Sequence, residues 1–276
     1  MVLGLVQGAT EFAPISSSGH LILVPWLFGW TTFSGNPDMA KTFDVALHMG
    51  TLAGALIYFW RDVARYVGAW FRSVGARRIR SVDERIAWFL VIGTIPGVIV
   101  GAAAEGFIQE RLGQPWLIAV MLAVFGIVLY VVDRRARQTR DLPDLTMKDA
   151  LLIGMAQAVA LQPGVSRSGV TMTMARGVGL DRPAAARFSF LLSLPIIAGA
   201  GVFKAIDLFS EGLPPGSGGA FIWGIVASAV SGFAAIWGLL AYLRRRDFAP
   251  FVWYRLVAAA AVFGIIAAGI RPASGL

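Results

Sequence analysis

Six apolar stretches constrain the fold of this chain more than any other feature of its sequence. A helix needs about 20 mostly apolar residues to cross the hydrocarbon core of a membrane. Segments of this kind occupy residues 43–60, 86–104, 116–132, 188–206, 220–243 and 251–270. Only 14% of the residues are charged, whereas an average soluble domain has about 25%. The sequence therefore predicts an all-α polytopic membrane protein, and it excludes a water-soluble enzyme, a nucleic-acid-binding protein and a disordered chain.

Two further apolar segments, residues 1–28 and 149–177, are interrupted by clusters of Gly, Pro and Ser. The first cluster is PISSSGH, which begins at Pro14, and the second is PGVSRSG, which begins at Pro163. Non-helical backbone at membrane depth is tolerated only where protein or a water-filled cavity surrounds it. We therefore predict that each segment is a re-entrant helix–loop–helix hairpin.

The basic residues predict the topology of the spans. Of the 24 Lys and Arg residues, 18 lie in loops 61–85, 133–148 and 244–246 and in segment 176–187. Such clusters are typical of loops that stay in the cytoplasm. If each hairpin returns to the side from which it enters, all four clusters lie on this one face and both ends of the chain lie outside. The net charge of +8 therefore indicates topology rather than nucleic-acid binding.

The two hairpins are similar to each other at a fixed offset along the chain. The matched residues are Gly4, Gln7, Ser16, Ser18 and Gly19 with Gly154, Gln157, Ser166, Ser168 and Gly169. Each hairpin precedes three spans, and because three is odd, the second half is inverted in the membrane. We predict a single membrane domain, 1–276, built from inverted repeats 1–140 and 149–276. Inverted repeats with broken helices usually place their site where the repeats meet.

Glu11 is the first candidate functional residue, because an ionisable group inside an apolar segment is costly without a partner. Gln7 lies four residues earlier, so on a helix the two side chains share one face. His48 lies near the start of a span, and there we expect a packed, hydrogen-bonded histidine. The chain has no cysteine, which excludes disulfides and a thiolate nucleophile.

The residues after Glu11 offer groups for chemistry on a phosphate. Ser16, Ser17 and Ser18 provide three hydroxyls, and Gly19 lets the backbone approach a ligand closely. His20 is suited to proton transfer near neutral pH. This combination indicates phosphoryl transfer or hydrolysis.

Arg167 stands at the centre of the second cluster, between Ser166 and Ser168 and next to Gly169. A guanidinium at a Gly/Ser-rich helix start is suited to phosphate oxygens, which it binds together with backbone N–H groups and the helix dipole. The substrate is expected to be amphiphilic, because the site lies inside a membrane. Glu11 together with phosphate oxygens is a candidate ligand set for Mg²⁺ or Ca²⁺.

These motifs resemble the undecaprenyl-diphosphate phosphatase family, also known as the bacitracin-resistance proteins. The two signature segments are QGATEFAPISSSGHL, from Gln7, and QPGVSRSG, from Gln162. Segments 42–62 (TFDVALHMGTLAGALIYFWRD), 186–195 (ARFSFLLSLP) and 248–257 (FAPFVWYRLV) are also similar to that family. The resemblance covers nearly the whole chain.

The resemblance implies a bacterial inner-membrane enzyme that removes the terminal phosphate of undecaprenyl diphosphate. Its product is undecaprenyl phosphate, the lipid carrier recycled for peptidoglycan assembly, and its active site opens to the periplasm. The family's motif residues correspond here to Gln7 and Glu11, to Ser16, Ser17, Ser18 and His20, and to Ser166, Arg167 and Ser168. Some members have Glu in place of Gln7, and an amide serves neither as a base nor as a charged metal ligand. Glu11 therefore carries that charge alone.

We expect Glu11, Ser17, His20 and Arg167 to be the catalytic residues. Ser17 is the candidate nucleophile and His20 the general acid/base, while Arg167 holds the diphosphate and Glu11 binds a divalent cation or orients a partner. An alternative makes His20 the nucleophile, with the serines only binding phosphate. The expected phosphate-binding residues are Gln7, Ser16, Ser18, Gly19, Ser166, Ser168 and Gly169.

A lipid or solute transporter is the alternative from another functional class, because inverted repeats with broken helices are also transporter architecture. The expected partners are a polyprenyl diphosphate lipid and membrane lipids, and no nucleic acid. The oligomeric state is left open, with a homodimer as one option. Arg255, inside an apolar segment, is expected to reach either a lipid headgroup or the substrate.

Overall fold

The computed structural model describes residues 1–31, 37–211 and 217–274, with side chains described except at 37–38, 104–111 and 203–211. These residues form eleven α-helices and one 3-10 turn at Leu142–Asp144. The helices are α1 (Val2–Glu11), α2 (Ser17–Phe28), α3 (Pro37–Tyr58), α4 (Trp60–Ala76), α5 (Val82–Arg111), α6 (Pro115–Arg135), α7 (Met147–Val159), α8 (Arg167–Gly177), α9 (Arg182–Glu211), α10 (Gly218–Leu243) and α11 (Ala249–Ala267).

The helices that match the predicted spans are long and apolar. Five of the described helices, α5, α6, α9, α10 and α11, are long and apolar enough to cross a membrane, and α3 passes the same test together with α4. Each of the six predicted spans coincides with one of these helices. The all-α polytopic fold predicted from the sequence is thereby confirmed.

The structure differs from the sequence prediction at residues 60–76, which form α4 rather than a loop. Helix α4 meets α3 at an angle of 85°. Apolar residues such as Val63, Tyr66 and Trp70 recur at helical spacing between the arginines, so the segment buries an apolar stripe and exposes its basic residues. The arginines lie between these apolar residues in the sequence, so a high content of basic residues does not by itself indicate a loop.

Both interrupted segments fold as helix–loop–helix units. Helices α1, α2, α7 and α8 contain 10 to 13 residues each, which is too few to span a bilayer of about 30 Å. A short helix that enters the bilayer must leave its backbone ends inside the protein. The loops at 12–16 and 160–166 are therefore expected to lie within the helix bundle.

The hairpins cross over in their packing. Helix α1 packs against α10, and α7 packs against α5. Both contacts depend on glycines, because a Cβ at Gly4 would collide with the carbonyl oxygen of Gly224, and one at Gly154 would collide with that of Gly93. Each hairpin therefore packs closely against the other half of the chain. This crossed packing suits two inverted repeats, although the boundaries 1–140 and 149–276 stay a prediction.

The four basic segments meet at one end of the bundle. Contacts join Arg85 to the carbonyl of Pro143 at 3.0 Å, Arg134 to Asp247 at 3.4 Å and Arg140 to the carbonyl of Val178 at 2.6 Å. Near the end of α2, the Trp26 indole instead donates to the carbonyl of Pro272 at 3.0 Å, beyond the end of α11. The clustering of basic residues at one face, predicted from the sequence, is present in the structure.

Candidate active site

Each hairpin bends at a serine that caps its second helix. Ser16 has φ +75° and Ser166 has φ +74°, in the left-handed region that residues with a side chain rarely adopt. The Ser16 hydroxyl accepts a hydrogen bond from the Gly19 N–H at 3.3 Å, and the Ser166 hydroxyl accepts one from Gly169 at 3.1 Å. These bonds satisfy N–H groups that a helix start leaves without partners. The same local conformation therefore turns both loops.

The two loops contact each other directly. The Gly164 N–H donates to the Ser16 hydroxyl at 3.0 Å, and the Ser168 hydroxyl donates to the carbonyl of Ala13 at 2.9 Å. Ser16, Gly164 and Ser168 therefore hold the loops together. The role of Ser16, Ser168 and the capped residues Gly19 and Gly169 as phosphate ligands stays a prediction, and each of them already takes part in a hydrogen bond of the loops.

Arg255 on α11 binds the backbone of both loops. Its side chain is fully buried, and it donates to five carbonyl groups. The acceptors are Leu122 at 2.9 Å, Pro14 at 3.2 Å, Met121 at 3.2 Å, Gly164 at 2.9 Å and Val165 at 3.0 Å. The expectation that Arg255 reaches a lipid headgroup or the substrate is wrong, because the guanidinium is enclosed by protein backbone.

Glu11 forms the centre of the site. Its side chain is only 2% exposed, and its Oε1 atom pairs with the Arg167 guanidinium. Its Oε2 atom accepts hydrogen bonds from the Gln7 amide at 2.8 Å and from the Ser17 hydroxyl at 2.5 Å. The His48 Nε2 atom lies 3.5 Å from the same oxygen. A buried carboxylate is costly unless it is paired and hydrogen-bonded, and these contacts meet that requirement.

A small polar cleft opens beside the carboxylate. It has a volume of about 130 Å³ and is lined by Glu11, Ser17, Ser18, His48, Ala160, Ser166 and Arg167. A larger cavity of about 410 Å³ between α3, α4, α5 and α9 is lined almost entirely by apolar side chains and includes none of the predicted site residues. Chemistry on a charged group requires polar partners, so the smaller cleft is the candidate active site.

The two histidines occupy different places, His20 outside the cleft and His48 at its lining beside Glu11. His20 is buried outside the cleft lining, and its ring nitrogens contact the Ser16 carbonyl at 2.7 Å and the Tyr254 hydroxyl at 2.7 Å. His48 is hydrogen-bonded to the Asp44 carbonyl at 2.8 Å, as expected of a packed histidine. It also lines the cleft beside Glu11, which no motif in the sequence indicated.

The fit of a divalent cation can be tested against the side chains of the cleft. Among the described residues, no group of three or more His, Cys, Asp or Glu side chains is placed to hold a metal ion. Both oxygens of Glu11 already contact donors, and one donor is the cationic Arg167. The described side chains therefore do not fit a cation held by the protein alone.

Comparison with known proteins gives one family match and several relatives that share a name. The family model described as bacitracin resistance protein BacA matches residues 1–261. An undecaprenyl-diphosphatase of Desulforudis audaxviator is 50% identical over 257 residues, which cover 93% of both chains. Proteins of the same name are 48% identical over 268 residues in Pelotomaculum thermopropionicum, covering 97% of this chain and 96% of the relative, and 45% identical over 265 residues in Moorella thermoacetica, covering 96% of both.

Proposed function

Since this chain belongs to the bacitracin resistance protein BacA family, we propose that it is an undecaprenyl-diphosphatase. It is a membrane hydrolase that converts undecaprenyl diphosphate to undecaprenyl phosphate and inorganic phosphate. The relatives' name and the full-length similarity support this activity. The observation that carries it in the structure is the contact of Glu11 with both Ser17 and Arg167 in one cleft.

Arg167 is the proposed diphosphate-binding residue. Its side chain is 20% exposed and lines the cleft, so its donors are accessible to a ligand. A guanidinium binds phosphate oxygens through two parallel hydrogen bonds. Ser18 and Ser166 line the same cleft and offer hydroxyl donors. The Glu11 pair orients the guanidinium before the substrate arrives.

Ser17 is the proposed nucleophile. Its hydroxyl donates to a carboxylate at 2.5 Å, which is the arrangement expected of a serine whose proton is removed during attack. The alternative, in which His20 attacks phosphorus, has less support because His20 lies outside the cleft lining. Trapping a phosphoenzyme and identifying the phosphorylated residue distinguishes the two.

The predicted cation has to come with the substrate, because the described side chains do not supply a site for it. We propose that Mg²⁺ or Ca²⁺ enters as a complex with the diphosphate, whose oxygens are the ligands that these ions favour. Phosphate release measured with and without a chelator tests this. An unchanged rate in the chelator contradicts it, and recovery on adding Mg²⁺ or Ca²⁺ supports it.

The proposed location is the bacterial inner membrane, with the basic end of the bundle in the cytoplasm and the cleft open to the periplasm. The clustering of basic residues at one end supports the first part. The second part rests on the family resemblance. A homodimer and bound membrane lipids stay predictions.

Substitution of the ion pair tests the assignment. Purified wild-type protein is expected to release phosphate from undecaprenyl diphosphate. Arg167→Ala and Glu11→Ala are each expected to lower kcat by about 100-fold or more, the scale of loss when one group that organises transition-state charge is removed. Glu11→Gln, which keeps the side-chain volume, covers the case in which the alanine variant does not fold.

Arg246→Ala serves as the control, because Arg246 is an exposed arginine at the basic end, and we expect full activity. Near-normal turnover in Arg167→Ala or Glu11→Gln contradicts the site assignment. Movement of the lipid or of a solute across vesicles without hydrolysis favours the transporter alternative and overturns the enzyme.

A further inference from the structure

We propose that His48 receives the proton of the attacking serine, acting through Glu11. This inference rests on the proposed phosphatase function and deepens it, because it assigns the proton to a residue outside both Ser-rich loops. Three observations carry it: the position of the imidazole, its hydrogen bonding and the lack of another acid/base side chain among the described contacts of Glu11.

The orientation of the His48 ring is fixed by α3 itself. Its Nδ1 atom lies 2.8 Å from the Asp44 carbonyl oxygen, one turn earlier on the helix. A carbonyl oxygen only accepts, so Nδ1 carries the hydrogen in the neutral ring, and Nε2 is left with its lone pair. Nε2 faces Glu11 Oε2 at 3.5 Å. The basic nitrogen therefore points to the carboxylate oxygen that binds Ser17.

The other side chains that the structure shows at Glu11 do not serve this role. The Gln7 amide donates to Glu11 and has no proton to exchange. The guanidinium of Arg167 stays protonated in proteins. Ser17 is the group that loses the proton. Among the described contacts of Glu11, His48 is the one whose side chain is of a type that serves as a general acid/base.

The proposed reaction has two steps. Ser17 Oγ attacks the terminal phosphorus; the Oγ–P bond forms as the bond from phosphorus to the bridging oxygen breaks, and its electron pair leaves with undecaprenyl phosphate. The serine proton passes by way of Glu11 Oε2 to His48 Nε2. A water oxygen then attacks the phosphoserine, the P–Oγ bond breaks, and Ser17 recovers its proton from His48 by the same route. Inorganic phosphate leaves with the oxygen and the protons of the water.

Two substitutions separate proton transfer from packing. His48→Gln fills the space and offers Glu11 an N–H donor, as the protonated ring does, but an amide takes up no proton. His48→Ala leaves a hole at the cleft, large enough for added imidazole. We expect kcat for phosphate release from undecaprenyl diphosphate to fall by about 100-fold in both variants, within the range for one acid/base group, with little change in KM. We expect added imidazole to restore part of kcat in His48→Ala and none in His48→Gln.

Failure of this inference is distinguishable from failure of the proposed phosphatase function. A wild-type protein that releases no phosphate contradicts the phosphatase itself. An active wild type with full kcat in His48→Gln overturns the role of His48 alone. Imidazole that stimulates Glu11→Ala as strongly as His48→Ala also overturns it, because the effect then does not depend on the vacated ring position. Thermal unfolding in detergent shows whether each variant is folded.

Discussion

Arg255 and Arg176 are both fully buried arginines, but they support different parts of the protein. Arg255 donates to carbonyl groups of both Ser-rich loops and of α6. Arg176 pairs with Asp133 at 2.8 Å, at the basic end. Comparing substitutions of the two residues therefore separates an effect on the active site from an effect on the stability of the fold.

Replacing each arginine by lysine tests this distinction. Lysine presents a single charged nitrogen and does not reproduce the planar fork that reaches several acceptors. Arg255→Lys is expected to lower kcat by about 10- to 100-fold per folded molecule, because displacement of reacting groups by about 1 Å costs up to about 100-fold. Arg176→Lys is expected to lower the unfolding temperature while kcat stays near wild type. Equal losses of kcat in both variants contradict a positioning role for Arg255.

The residues of the site were predictable to different degrees. Glu11 and Arg167 stand out in the sequence because charges inside apolar segments need a reason to be there. Their direct pairing confirms that the two interrupted segments meet. His48 and Arg255 gave no such signal, because their roles depend on contacts with residues far away in the sequence, such as Pro14 with Arg255 at a separation of 241.

At the scale of elements, the apolar runs predicted where the long helices lie, except at α4, which was expected to be a loop. The sequence does not show which glycines form the contacts between helices. Gly154 on α7 meets the backbone of Gly93, but Gly238 on α10 has nothing within 4 Å of the position of a Cβ. The sequence shows both as glycine in an apolar helix. Only the packing of α7 against α5 reveals which one has no room for a side chain.

A pair of alanine substitutions measures that difference. Gly154→Ala is expected to lower the free energy of unfolding by about 1–3 kcal/mol, the usual cost of overpacking, because the new methyl group displaces α7 from α5. Gly238→Ala is expected to be neutral or to stabilise by up to about 1 kcal/mol, since alanine is the better helix former. Thermal or denaturant unfolding in detergent provides the comparison. A neutral Gly154→Ala contradicts the close approach of the two helices.

At the scale of the whole molecule, the topology can be tested by labelling single introduced cysteines, because the sequence contains no cysteine of its own. Single cysteines at the exposed residues Arg78 and Arg246 mark the basic end, and one at Ser274 marks the opposite end. In intact spheroplasts, a membrane-impermeant maleimide is expected to label Ser274→Cys and to label Arg78→Cys and Arg246→Cys only after lysis. Labelling of Arg78→Cys in intact spheroplasts contradicts the orientation.

The bonds from Arg255 to the first loop have a consequence for the synthesis of the protein. The ribosome adds about 5–20 residues per second, so the 241 residues between Pro14 and Arg255 take about 10 to 50 seconds. During most of that interval Glu11 has emerged without Arg167, and a carboxylate without its partner is costly in hydrocarbon. We therefore expect the first hairpin to remain near the water-exposed surface of the nascent chain until the second hairpin arrives. The active site is then among the last parts of the protein to mature.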